Sequence, residues 1–257
     1  MEDDERKSSG SETAPDEGAD AGDRIVAALD HLRSVLSRDG RSSWEEEYRP
    51  QEACLRAWAE DQHLLLKPAD CPEFRRGGQE HDVSFDESFE RILKLTRHGV
   101  FGFTPGINIE VVSDGDDPRR FNLWDATPFR YFDRLRLQNR LTPGLNRLEG
   151  IVAYENELAI MISQPRFPLN PVSQREIDEW FVERGFEQIA NAAYYRKEDN
   201  LAVFDAHDKN VIRVGEDLVP FDIIPVRPSG GFREFVEDTI KAGVGLTAKR
   251  TTRTTDR

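Results

Sequence analysis

The spacing of apolar residues changes several times along the chain, and each change marks an expected element. Ile25, Val26, Leu29, Leu32, Val35 and Leu36 recur three and four positions apart, which puts them on one face of a helix starting at Asp23 and stopped by Asp39-Gly40. A second helix is expected from Trp44 to Asp61, offering Tyr48, Leu55 and Trp58 for packing, with Pro50 near its start or kinking it. Leu64-Leu65-Leu66 ahead of Pro68 reads as a short buried strand or connector. From Phe74 the period shortens. Gly77-Gly78 leads into an extended stretch through Val83 and Phe85, an acidic turn follows at Asp86-Glu87, and residues 89–96 alternate as a strand. Strand side chains alternate between faces, so Lys94 shares a face with Ile92 and points away from Leu93 and Leu95.

A loop rich in Gly, Pro and Asp is expected from His98 to Arg120, with Ile107, Ile109, Val111 and Val112 as an inserted strand. Thr127-Pro128 then supplies a cap and a first-turn proline for a helix through Phe132, Leu135 and Leu137 to Leu141. Leu148–Tyr154 and Leu158–Ser163, joined by Glu155-Asn156-Glu157, form a hairpin pattern. Ser173 to Arg184 is a capped helix with Ile177, Trp180 and Phe181 on its apolar side, ended by Gly185. Tyr194 to Ile224 reads as short strands around a loop at Asp205.

Composition narrows the class. A chain of 257 residues can bury a sizeable core, and its 37% hydrophobic content lies beside 33% charged residues. A formal charge of −14 argues against general nucleic-acid binding, which needs clustered Lys and Arg against phosphates. Two cysteines, Cys54 and Cys71, cannot build a disulfide framework or a four-thiolate zinc site. No apolar run approaches the roughly 20 residues that span a bilayer, and the acidic start lacks a signal-peptide core. A cytoplasmic protein without membrane contact is expected. Four regions follow: a disordered acidic tail at 1–22, a helical N-terminal appendage at 23–68, a main domain at 69–244 and a flexible tail at 245–257.

Candidate chemistry concentrates in LAVFDAHDKNVIRVGEDLVPFDII, residues 201–224. Asp205 stands five residues before Asn210, and Asp222 follows twelve residues later behind an apolar run. Phosphoryl transfer by a kinase uses these residue types in this order: a first Asp to orient and deprotonate the attacking hydroxyl, then an Asn and a second Asp to hold Mg²⁺ against nucleotide phosphates. Upstream, Lys94 in RILKLT suits the lysine that neutralises the α- and β-phosphates, with Gly77-Gly78 as a minimal glycine hairpin before it. Asp133 and Glu80 are rival acids for anchoring that lysine, and Ser163-Gln164-Pro165 stands where a linker between lobes would meet the nucleotide.

The segments GGQEHDVSFDESFERILKLT, DATPFRYFDRLRLQNRL, RLEGIV, MISQPRFPLN, EIDEWFVERGF, VFDAHDKNVI and VPFDII resemble the kinase-like domain found in polyvalent proteins of phages and other mobile elements, over residues 70–228. The resemblance implies an α+β, compact, protein-kinase-like two-lobed fold with the helical appendage in front and a shortened C-terminal lobe. It also implies ATP and Mg²⁺ as cofactors, with a protein hydroxyl or a small molecule as acceptor. Three departures stand out. Val203 occupies the place of the His two residues before the catalytic Asp, Asp222-Ile223-Ile224 replaces Asp-Phe-Gly, and only 35 residues follow Asp222. These support an alternative, a nucleotide-binding pseudokinase acting as an interaction or regulatory module. His207 beside Asp205 and Asp208, with His81 as a second ligand, raises a metal-dependent phosphohydrolase as a third reading.

Overall fold

The computed structural model describes residues 17–36, 44–85, 90–110, 117–168 and 170–242. Expectations for residues 1–16, Asp39-Gly40, Asp86-Glu87, Val111-Val112 and the 245–257 tail lie outside these. The protein is α+β. Helix α1 spans Glu17–Leu32, so residues 17–22, expected in the tail, are helical. Helix α2 spans Trp44–Asp61 with Pro50 inside it. Strand β1 (Leu65–Leu66) is followed by β2 (Arg75–Arg76), β3 (His81–Ser84) and β4 (Arg91–Thr96).

The 98–120 stretch holds the inserted strand expected at Ile107 and Ile109, as the end of β5 (Phe103–Ile109). The expected loop around it is in part strand: β5 begins at Phe103 and pairs with β6 (Arg119–Asp125) in a two-stranded ribbon from Phe103↔Asp125 to Ile109↔Arg119. Pro105 and Gly106 disguised the first half of β5 as a loop. In an isolated ribbon each strand has an open edge, where a missing N–H is tolerated. Helix α3 (Pro128–Leu141) starts as expected, with the Thr127 side chain accepting from the Arg130 N–H. The hairpin β7 (Arg147–Ala153) and β8 (Leu158–Pro165) and helix α4 (Gln174–Glu183) also follow the sequence pattern. Ser173 and Glu176 close a reciprocal capping box on α4. Short strands β9 (Glu187–Ala190), β10 (Ala193–Arg196), β11 (Leu201–Phe204), β12 (Val211–Val214), β13 (Asp217–Pro220) and β14 (Ile224–Val226) lead to helix α5 (Gly230–Lys241).

Among the described residues, three larger cores organise these elements, beside a small fourth of Leu95, Val152, Ala159 and Met161 on the six-stranded sheet. The six-stranded sheet has the order β1-β7-β8-β4-β3-β2, so the Lys94 strand is central. Its inner side packs against both N-terminal helices: Ile25, Leu29, Leu32 and Leu55 share one cluster with Phe132, Leu135, Leu148, Ile151 and Ile160. Burying such side chains is worth roughly 1.5–3 kcal/mol each, so α1 and α2 contribute to the sheet's own stability. A second cluster joins Leu137 to Phe181, Tyr194, Val203, Val211, Leu218 and Ile223. A third lies between the sheet β14-β11-β10-β9 and α5, with Tyr195, Phe204, Ile224 and Val236. Helix α3 serves both of the first two cores, and the candidate site forms along its length.

Candidate functional site

Lys94 and Asp222 are 128 positions apart in sequence, and Lys94 Nζ lies 3.2 Å from Asp222 Oδ1. The lysine is buried by its position in a central strand, flanked by Val83 on β3 and Ile162 on β8. Its ammonium also sits 5.6 Å from the centre of the Phe221 ring. Asp222 keeps 31% of its side-chain surface exposed. Burial pushes its carboxyl up, but Lys94, His81 and Arg134 outweigh that and hold it at about 2. It is therefore an anion at neutral pH.

Neither Asp133 nor Glu80, the two acids expected opposite Lys94, forms an ion pair with it. Asp133 faces along its own helix to Arg136, at 2.6 Å. Glu80 instead accepts from Arg134, at 2.6 Å, and from the Phe103 N–H, at 2.7 Å. Arg134 is the centre of the cluster. Only 4% exposed, it donates to the Ile223 carbonyl at 3.2 Å and stands 3.8 Å from Asp222 Oδ1. Burial raises the Glu80 pKa, yet Arg134 overcomes that and leaves it below the usual carboxylate range.

The Asp222 segment is pinned from both sides, which answers the absent glycine. Phe221 N and Asp222 N both donate to the Asn210 carbonyl, at 3.0 and 3.3 Å. On the helix side, Gln138 donates to the Ile223 carbonyl at 2.6 Å, while Asn146 donates to Gln138 at 2.9 Å. Gln164 completes this buried chain of amides, reaching Asn146 Oδ1 at 2.8 Å and the Phe221 carbonyl at 3.0 Å. The side chain expected at a nucleotide is thus engaged in fixing Asp222. Gly77 lies in the β2–β3 turn, where an added Cβ would come 2.5 Å from the His81 carbonyl oxygen. Gly78 has open space around it, and its carbonyl accepts from Arg97 at 3.0 Å.

Asp205 follows β11 in a left-handed conformation, φ 60°, unusual for a residue with a side chain. Asn210 Nδ2 holds it twice, at 2.8 Å to its carbonyl and 2.7 Å to Oδ2. That arrangement leaves the Asn210 amide oxygen and Asp222 Oδ2 without partners among the described residues. Two oxygen donors on adjoining backbone are suited to Mg²⁺, a hard cation that takes few protein ligands and leaves the rest to water and phosphate.

Residues 122–224 match the model of a family described as the Serine/Threonine/Tyrosine Kinase found in polyvalent proteins. The matched segment carries the kinase-like domain of polyvalent proteins. Asp205, Asn210, Asp222, Gln164 and Arg134 all fall within it, whereas Lys94 and the glycine hairpin precede it. No curated protein and no solved structure matches the chain. Among the described residues, no helix is long and apolar enough to cross a membrane.

Two features bear on metal chemistry of another kind. Glu80, His81 and Asp222 offer ligand atoms all within 4.8 Å of one another. However, Lys94 and Arg134 already neutralise the carboxylates, and His81 Nε2 is hydrogen-bonded to the Tyr131 hydroxyl at 2.8 Å. His207 is tied to Asp205 at 3.4 Å, and its pKa is raised by that hydrogen bond against the opposing effect of burial. It stands with Asp205 and not with His81. Sequence reasoning missed Arg134 as the hub of the cluster. A signal existed: Tyr131, Arg134 and Gln138 lie three and four residues apart, a polar stripe along one face of an otherwise core-forming helix.

Proposed function

We propose that this protein is a kinase-like phosphotransferase with a two-lobed arrangement, binding Mg-ATP between the six-stranded sheet and the 205–222 segment. The observation that carries the reading is the 3.2 Å pair between Lys94 and Asp222, because both groups must meet the same nucleotide. The contiguous strand order β2-β3-β4-β8-β7, with α3 inserted between the Lys94 strand and the β7–β8 hairpin, supports it further. Lys94 faces the α- and β-phosphates. Asn210 and Asp222 would hold Mg²⁺, which supplies charge neutralisation of the phosphates when bound. Asn210 also fixes the Asp205 carboxylate through Nδ2, so that Asp205 orients the acceptor hydroxyl and takes its proton.

Calorimetry with ATP in the presence and absence of Mg²⁺ tests this. Wild type binds in a Mg²⁺-dependent manner, Asp222→Ala and the near-isosteric Asp222→Asn lose binding, and Asp205→Ala retains binding but loses phosphate transfer. Lack of Mg²⁺-dependent binding by the folded wild type refutes the reading. A nucleotide-binding module without transfer is favoured by one specific feature: helix α3 brings Arg134, not an acid, to the lysine's neighbourhood. Mg-ATP binding lost in Asp222→Asn, with no phosphate ester formed on any acceptor, would select that module.

A further inference from the structure

A cavity of about 980 Å³ opens beside Asp205, between the β5–β6 ribbon, the β9–β10 turn and the loop at 205–209. Its walls do not include Lys94. A volume of this order suits a ligand of drug size. The ribbon forming one wall is firmly seated: Phe121 packs at 5.3 Å from Phe204 and 4.7 Å from Phe235, and Arg119 reaches Asp238 on α5 at 3.3 Å. Asn108 and Asn122 lie on the same face of the ribbon, because they are cross-strand partners of Arg120 and Gly106 in one alternating set. Asn191 lies in the β9–β10 turn, across the cavity. None of these three side-chain amides has a hydrogen-bond partner among the described residues, although all three line the cavity.

We propose that this cavity holds the phosphate acceptor and that the acceptor is a small neutral or amine-bearing polyol; the inference rests on the phosphotransferase reading above. Each free amide offers donors and an acceptor together, which matches a hydroxyl that both gives and accepts a hydrogen bond. Glu110, Asp205 and Asp208 line the cavity against Arg120 and Lys209, with His207 beside Asp205. Carboxylate acceptors for hydroxyl or ammonium groups thus outnumber the lysine and arginine cations that would draw in an anionic ligand. A peptide acceptor is disfavoured by topology. The chain passes from Asp222 directly into β14, pairs there with β11, and enters α5 at Gly230, so the described stretch from Asp222 to Gly230 offers no platform for an extended peptide. The wall comes instead from the ribbon inserted ahead of α3. In the transfer, a polyol oxygen attacks the γ-phosphorus and its proton passes to the Asp205 carboxylate. The bond from that phosphorus to the β-phosphate bridging oxygen breaks, and ADP leaves with the electron pair.

The test uses the full chain with Mg-ATP and four probes: glucosamine, ribose, myo-inositol and glucose 6-phosphate. ADP release is followed with ³¹P NMR of the products, and probe binding by saturation-transfer NMR. At least one of the three uncharged or amine-bearing probes becomes a phosphate ester, and glucose 6-phosphate does not. Asn122→Ala and Asn191→Ala each raise KM about tenfold, the loss of one hydrogen bond, with kcat within about twofold. Asp205→Asn abolishes transfer while the probe's saturation-transfer signal persists. Mg-ATP binding without any polyol ester or probe signal, or phosphate appearing only on added dephosphorylated casein or on the chain itself, overturns this inference and leaves the nucleotide reading intact. Absence of Mg-ATP binding overturns both.

Discussion

Replacing Arg134 with Met removes the hub of the cluster while keeping an unbranched side chain of similar length. The guanidinium's 2.6 Å bond to Glu80, its 3.2 Å bond to the Ile223 carbonyl and its 3.8 Å contact with Asp222 are lost together. Glu80, 13% exposed, then keeps only the Phe103 N–H as a partner. Breaking a buried pair from one side typically costs about 3–5 kcal/mol, because the surviving charge is left uncompensated. For a protein of this size that corresponds to a fall in Tm on the order of 10 °C. Glu80→Gln on its own leaves Arg134 with Asp222 and Ile223 and should cost less. The double variant buries no orphan carboxylate, so its loss should fall short of the sum of the single losses by about 2 kcal/mol. Urea melts of the four proteins close this cycle. A second arm uses pH. Without Arg134, burial and the nearby Asp222 charge outweigh the pulls of His81 and the Phe103 N–H on Glu80 and should raise its folded pKa above the unfolded value. The proton it then takes up favours the folded state, so the Arg134→Met deficit should shrink between pH 7 and pH 5. Additivity of the two substitutions within about 0.5 kcal/mol, or a deficit unchanged by pH, would refute the reasoning.

Two further outcomes are expected. Burial first, then Lys94 and Arg134, lower the His81 pKa from 6.5 to about 4, against opposing pulls from Asp222 and Glu80, while Tyr131 is its hydrogen-bond partner. The unfolded chain thus binds more protons between these values, and stability should fall by about 3 kcal/mol as pH drops through that window. His81→Gln should flatten the pH 6.5 to 4.5 portion of a urea-stability profile, and a slope equal to that of wild type would sink the argument. Gly77→Ala would bring a methyl against the His81 backbone and should cost about 1–3 kcal/mol, whereas Gly78→Ala meets open space and should be near neutral. Equal losses in the two melts would show that the turn relaxes around either side chain.

Much of the local architecture was legible because its causes are local. The Thr127-Pro128 start and the Ser173–Glu176 box are side-chain-to-backbone contacts within one helical turn, and both helices begin where those residues predict. The alternation that put Lys94 on the Ile92 face likewise needs nothing beyond the strand itself. Elements whose signals conflict were legible only in part or not at all. Pro105 and Gly106 hid the first half of β5 and its pairing with β6. Helix α5, which starts at Gly230-Gly231, has no counterpart among the expected elements, although Phe232, Phe235, Val236 and Ile240 carry a helical spacing behind those glycines.

The candidate site divides along the same line. The sequence alone determined the residue types and their order: Lys94 on a strand, Asp205 five residues before Asn210, and Asp222 behind an apolar run. Each of these is a property of neighbours along the chain. Which charge meets which was decided only by the tertiary structure. Lys94 pairs with Asp222, Glu80 with Arg134, and Gln164 with the amides that hold the Asp222 segment. These partners are separated by 54 to 128 positions in the ion pairs, a distance across which periodicity carries no information. Burial then made the choice. A charge in the space between the sheet, α3 and the 205–222 segment must find an opposite charge there, and only packing determines which ones lie within reach.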